Sequence, residues 1–159
     1  MTNEPRRYGR AEPADLRGLS GLEQIRAVVE GRIPQIPIGG TLGFDIVEAD
    51  EGRVVVAGSP DERHVNFIGT IHAGYSATLL DTAMACAVIT TLEPDETFTT
   101  MEFKLSLLKP VTSGMGEVRA TGTLFQRGLK AAFAEARLED AAGRLLAHAT
   151  TTCIILPKP

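Results

Sequence analysis

The segment from His72 to Thr91 constrains the fold more than any other. It contains no proline, is rich in helix formers, and is small or apolar on nearly every side, through Ala73, Ala77, Leu79, Leu80, Ala83, Met84, Ala85, Ala87, Val88 and Ile89. A helix that is apolar all round has to be covered all round, and its many small positions let neighbouring elements come close. The segment therefore predicts a central, buried helix. The rest of the chain has to supply the cover.

Ser20 and Glu23 stand at capping-box spacing, Leu22, Ile25 and Val29 follow at helical intervals, and Gly31 with Pro34 supplies a stop, so a short amphipathic helix is expected there. Pro34 to Gly40 reads as a proline-rich loop. Phe44 to Ala49 and Arg53 to Gly58 flank the turn Asp50-Glu51-Gly52 and predict a hairpin. From Phe98 the pattern changes to period two, with Met101, Phe103, Leu105 and Leu107 alternating with Glu102, Lys104 and Ser106. Breakers at 110–116, 127–128 and 140–143 divide the remainder into strands at 115–126, 130–139 and 144–156, and the last four strands are expected to form a meander. The fold class that satisfies this order is α+β, an antiparallel sheet wrapped around one central buried helix.

A chain of 159 residues holds one hydrophobic core. Residues 1–15 read as a loose N-terminal tail on composition, and 16–159 as a single domain. Apolar residues make up 43% and charged residues 23%, which points to a globular domain rather than a disordered one. No apolar run approaches the ~18 residues a membrane span needs, and the first residues lack a signal-peptide core, so the expectation is a cytoplasmic protein with no membrane partner. The net charge of −4 argues against a nucleic-acid partner, since such domains need a basic face. Cys86 and Cys153 lack metal-type spacing and read as buried free thiols, with a catalytic cysteine as the alternative.

Asp81 lies near the middle of the apolar helix, where a carboxylate is costly to bury unless it is paired or used. It reads either as a side chain bonded to a neighbouring strand or as a general base or nucleophile. His72, Ala73 and Gly74 lie where loop becomes helix, so their backbone amides point outward at the positive end of the helix dipole and build an oxyanion site. From His72 to Asp81 is about half a turn of angular offset and roughly 13 Å of rise. The two cannot serve one site within one chain. Should both act on one substrate, a second copy has to run the other way beside the first. No G-x-S-x-G elbow, metal-ligand cluster or phosphate-cradling loop occurs, which leaves acid–base chemistry on Asp81.

The stretch His64-Val-Asn66-Phe-Ile-Gly69-Thr-Ile-His72-Ala73-Gly74, continuing to Leu80-Asp81-Thr-Ala83, resembles the signature of hotdog-fold acyl-CoA thioesterases of the phenylacetate-pathway (PaaI-like) type. In that family an Asn, a Gly and a His-Gly-Gly precede a helix with an acidic residue nine positions after the His. Asn66, Gly69, His72, Gly74 and Asp81 fall on those positions, and Ala73 replaces the first glycine while keeping its backbone N–H.

The resemblance implies a hotdog fold and hydrolysis of a small aryl or short- to medium-chain acyl-CoA to free acid and coenzyme A. Asp81 would be the general base or nucleophile, with the Ala73 amide polarising the thioester carbonyl. His72 is then either a loop-fixing residue or a group near the thioester, and Asn66 a turn residue or a polar contact. Thr100, aligned back from Pro110, falls on a position that helps hold the attacking water, or is a plain strand threonine. The turn Arg127-Gly128-Leu129-Lys130 matches one near the coenzyme nucleotide, or is a solvated hairpin. Gly74, Phe67 and Tyr75 would contact substrate, with Leu42, Phe44, Ile68 and Leu79 as further pocket walls. No cofactor or metal is implied, the coenzyme A thioester being the substrate. The partners implied are that substrate and further copies of the chain, as homodimer or homotetramer. A hotdog hydratase or dehydratase and a non-catalytic acyl-CoA-binding module are the rival readings.

Overall fold

Helix α4 (Ala73–Ile89) is the expected central helix, begun by His72 as N-cap and ended at Thr90. In the computed structural model, which describes residues 6–158, it is preceded by α1 (Pro13–Leu16), α2 (Gly21–Val29), α3 (Pro37–Leu42) and the hairpin strands β1 (Phe44–Asp50) and β2 (Arg53–Gly58). Strands β3 (Glu96–Leu107), β4 (Val118–Arg127), β5 (Ala131–Asp140) and β6 (Leu145–Pro157) follow it. All six strands form one antiparallel sheet in the order β1-β2-β4-β5-β6-β3. The helix lies across β2, β4 and β5 and touches β6 and β3 more lightly, which is the hotdog arrangement.

Small residues make that packing possible. Strand β5 packs on α4, and Ala132, Ala134 and Ala136 of the strand and Ala83 and Ala87 of the helix are all fully buried. At Gly122 of β4 the approach is so close that a Cβ would lie 2.2 Å from the Ala83 carbonyl oxygen. Leu79, Leu80, Met84 and Leu138 fill the space around these contacts. The capping box of α2 is present, with the Ser20 N–H donating to Glu23 at 2.7 Å. Gly52 closes the β1–β2 turn at φ 71°, a backbone angle that favours glycine.

Three expectations need correction. Only β4, β5 and β6 form a meander; β3 pairs with β6 at the sheet's edge, and β4 pairs with β2. The connection 108–117 carries Pro110 and Gly116 and is too long for a tight hairpin, so it can lead the chain from that edge across to β2. The loop from Pro34 contains α3, because Pro37 at a first-turn position has its φ preset for a helix. Of the tail expected at 1–15, residues 1–5 lie outside the described residues, but 7–9 are held down. Gly9 N–H donates to the Gln35 carbonyl at 2.9 Å, Gln35 N–H to that of Arg7 at 2.8 Å, and the Tyr8 hydroxyl to Asp45 at 2.8 Å.

Candidate active site

Residues 66–72 reach α4 through a loop that is bonded to itself. The Asn66 Oδ1 accepts from Ile68 N–H at 3.0 Å and Thr70 N–H at 3.3 Å, and its Nδ2 donates to the Thr70 hydroxyl at 2.9 Å. Gly69 sits at φ 84°, where a side chain would be strained. Ile71 N–H donates to the Val111 carbonyl at 2.9 Å and ties the loop to the chain leaving β3. Between them opens a cleft of about 330 Å³, lined by Asn66, Ile68, Thr70 and Ile71, by Ala73 and Ser76 of α4, and by 107–111.

The N-terminus of α4 borders this cleft through Ala73. His72 Nδ1 accepts the Gly74 N–H at 2.9 Å, which fixes the ring and engages the Gly74 amide. Tyr75 N–H goes to the His72 carbonyl at 3.0 Å, while the Ala73 N–H has no partner among the described residues. Ala73 has no positive φ, so its Cβ in place of glycine costs no strain. A Cβ at Gly74, by contrast, would press on His72 Nδ1 at 2.9 Å.

Asp81 is absent from the cleft. It lies on the stripe Gly74, Ala77, Thr78, Asp81 and Ala85, the side of α4 that the chain's own sheet leaves partly open. One carboxylate oxygen is nevertheless buried with no hydrogen-bond partner, and burial pushes its carboxyl above the ordinary value. The two cysteines lie in its field. Complete burial pushes the Cys86 thiol up to about 12, Asp81 adding to the shift, and burial also raises that of Cys153. Both are free and buried, inert thiols rather than nucleophiles. Thr100 approaches Cys153, Oγ1 to Sγ 3.9 Å, beside the irregularity between Thr100 and Glu102 in β3. Asp81 and Thr100 thus share one neighbourhood, and Ala73, Asn66 and the cleft another.

Several expected pocket walls are core instead. Tyr75 is 3% exposed, stacked at a tilt on His64 with ring centroids 4.7 Å apart, and its hydroxyl points toward Gly58. Phe44 and Leu79 are likewise buried, because this side of α4 faces β1 and β2. Leu42 is half-buried against the same core. Phe67 and Ile68 stand fully exposed at the loop tip, and of the two only Ile68 lines the cleft. Arg127 is engaged by both oxygens of Glu96, at 2.7 and 2.6 Å, and also bonds the Gly128 carbonyl, whereas Lys130 is exposed. Glu96 and Leu107 end β3 at opposite ends, so the hairpin lies roughly 35 Å along that strand from the cleft of its own chain. Sequence reasoning missed Ser76 and Lys109, both in the cleft. The position of Ser76 three residues after Ala73, on the same helix face, was the available signal for the first.

The family model of the thioesterase superfamily matches residues 68–147. Human acyl-coenzyme A thioesterase 13 is 28% identical over 131 residues, covering 82% of this chain and 90% of that protein. The 1,4-dihydroxy-2-naphthoyl-CoA hydrolase of Listeria monocytogenes is 26% identical over 118 residues, 74% of this chain and 94% of the relative. Among solved structures, a phenylacetic acid degradation-related protein from Ralstonia eutropha superposes with a TM-score of 0.74 at 28% identity, covering 82% of this chain and 98% of that one. With the apolar helix, the sheet order and the Asn66-to-Asp81 signature, these place the chain in the thioesterase superfamily, as a hotdog-fold enzyme of the PaaI-like type.

Proposed function

We propose that the chain hydrolyses an acyl-CoA thioester, a small aryl or short- to medium-chain one, at a site shared between two copies. The observation that carries this is Asp81, a partly buried carboxylate with an unpartnered oxygen, on the open stripe of a helix whose first residue lines a cleft. Two relatives act on coenzyme A thioesters by name, which supports the substrate class.

Asp81 lies eight residues beyond Ala73, about 12 Å along the helix, so one chain offers either the carboxylate or the donor at a given point. Antiparallel pairing of two α4 helices through the small-residue stripe brings one chain's Asp81 and Thr100 to the other's Ala73. Exposed apolar side chains support such pairing. Phe103 and Leu107 lie on the helix side of the sheet, opposite buried Thr151 and Ala147, yet remain 40% and 53% exposed past the end of the chain's own cover. In the shared site the Ala73 N–H stabilises charge on the thioester oxygen, and Asp81 removes a proton from water held by Thr100 or attacks the carbonyl itself. His72 and Asn66 hold the donor loop in place. Lys130, with Gly128 in the turn, meets the coenzyme phosphates from the partner hairpin, since Arg127 is already engaged by Glu96. Dimers of this kind pair further into a tetramer. No cofactor takes part.

Thiol release from an acyl-CoA panel tests this. Turnover on at least one ester, insensitive to EDTA, is the expected result. Enoyl-CoA hydration without thiol release, or tight acyl-CoA binding without turnover at micromolar enzyme, would overturn it.

A further inference from the structure

Strand β3 changes phase in its middle. Phe98 and Thr100 stand opposite Ile155 and Cys153 of β6, while Phe103, Leu105 and Leu107 stand opposite Thr151, Ala149 and Ala147. All five β6 partners are buried, so both sets face the helix side although one is even-numbered and the other odd. Plain alternation along a strand does not allow this. The register shifts between Thr100 and Glu102 and leaves Met101, 63% exposed, as the extra residue of a bulge. Phe98 and Leu105 pack against the core on either side of it and fix the two phases.

The bulge decides where Thr100 points. Continued regularly from Phe103, the ladder would set Met101 opposite Cys153 and Thr100 opposite Ile154, on the face away from α4. In the bulged register Thr100 lies beside Cys153 instead, Oγ1 to Sγ 3.9 Å, and Cys153 is within the field of Asp81. Two adjacent threonines of β6 clasp Glu102, the residue just past the bulge. Thr152, on the outer face, reaches its carboxylate at 2.7 Å. Thr151, 3% exposed, donates its hydroxyl to the Glu102 carbonyl at 2.7 Å, and no other side chain among the described residues bonds the backbone of 100–102. A buried strand position of this kind suits valine, and a hydroxyl there is costly unless it is bonded.

We infer that Thr151 is a positioning residue of the reaction: its hydroxyl holds the β3 bulge in the register that turns Thr100 toward Asp81. The inference rests on the proposed function above, in which Thr100 holds the water that Asp81 activates. Thr151 acts through the backbone of 101–102 and not through a contact with substrate. Bulges beside active sites serve to re-aim a side chain in this way. The contacts proposed for coenzyme A lie at other residues, so turnover and binding respond separately.

Thr151→Val keeps the shape of the side chain and removes the hydroxyl. It is expected to lower kcat about tenfold, as a reacting group is held less well in place, with KM within about twofold of wild type. Thr151→Ser, which keeps the donor, should restore most of kcat, and Thr151→Ala replaces the valine variant should that not fold. Coupling to Thr100 identifies the route. In a Thr100→Ala background, Thr151→Val should cost no further kcat, whereas two independent effects would multiply. A valine variant at wild-type kcat beside an impaired Thr100→Ala overturns the inference, as does a serine variant no better than valine, or losses that multiply. Thr100→Ala at wild-type kcat is a separate result: it defeats the water-holding reading of Thr100 and this inference with it. Turnover of no acyl-CoA ester by the wild type defeats the thioesterase reading itself, and with it both.

Discussion

The Gly74 N–H donates to His72 Nδ1 at 2.9 Å, so the histidine engages one helix-terminal amide and leaves its neighbour's, on Ala73, without a partner among the described residues. His72 acts here through the backbone. His72→Ala is expected to destabilise the helix start by about 1 kcal/mol, the usual cost of an N-cap. It should also lower kcat by roughly ten- to a hundredfold as the donor loses its fixed aim. His72→Asn, which keeps a short side-chain acceptor for Gly74, should restore most of both in thermal melts and steady-state assays. An asparagine variant as impaired as the alanine one would show that the imidazole has a chemical task of its own.

Asp81→Asn should fold and lose at least ~100-fold in kcat. Burial raises this carboxyl above its ordinary value of 3.8, so the native fold favours the neutral form. The stability it contributes is complete below 3.8 and is lost as pH rises through the higher folded value. The asparagine variant should accordingly melt higher than wild type at pH 7, and the gap should close as the pH falls toward 4. Wild-type kcat should in turn decline on the acid side through the raised value rather than at 3.8. Melting curves and a kcat–pH profile check both signs.

A shared site predicts complementation. Ala73 is the first helical residue and His72 has ψ 137°, a backbone that accepts a following proline, so Ala73→Pro removes the N–H with little disturbance. Mixed with Asp81→Ala, each parent inactive, half of the randomly reassorted dimers are hybrids with one intact site. About a quarter of wild-type turnover should return if subunits exchange freely. Verified hybrids with no recovery would refute the interface site.

Arg127 and Lys130 share one hairpin but should separate in assays. Arg127→Ala breaks a partly buried pair with Glu96 and is expected to cost about 1 kcal/mol, or about 2–4 °C in Tm. Lys130→Ala should leave Tm in place and raise KM for acyl-CoA, more at low than at high salt, since the exposed ammonium acts on phosphates through a screened field. An equal KM effect at all ionic strengths would remove Lys130 from the phosphate contacts.

The helix, the hairpin and the strand boundaries were legible in the sequence because each rests on local periodicity or on a breaker such as Gly52. Strand order was not: β3 carries the same period-two pattern whether its neighbour is β4 or β6, and the pairing is decided by the long 108–117 connection. Asp81 was legible as an anomaly, a charge inside an apolar helix. The pocket walls were not, because Tyr75 and Ser76 are adjacent and equally buried, yet one faces β1 and β2 and the other faces the cleft. Helical phase relative to the sheet decides between them, and that is a tertiary property. The pairing of Arg127 was not legible for the same reason: its carboxylate partner, Glu96, is 31 residues away.

The contact of Gly122 with the Ala83 carbonyl makes the helix a fixed datum in the molecule. Because Ala83 is two residues past Asp81, rolling or sliding α4 to widen a pocket would drive backbone into β4. Acyl preference in descendants of this chain must therefore drift through the loops 66–71 and 107–111, leaving the Asp81 carboxylate at constant depth. Directed evolution confined to those two loops should yield new substrate ranges at little loss of fold, whereas libraries built on 79–87 should yield mostly unfolded protein.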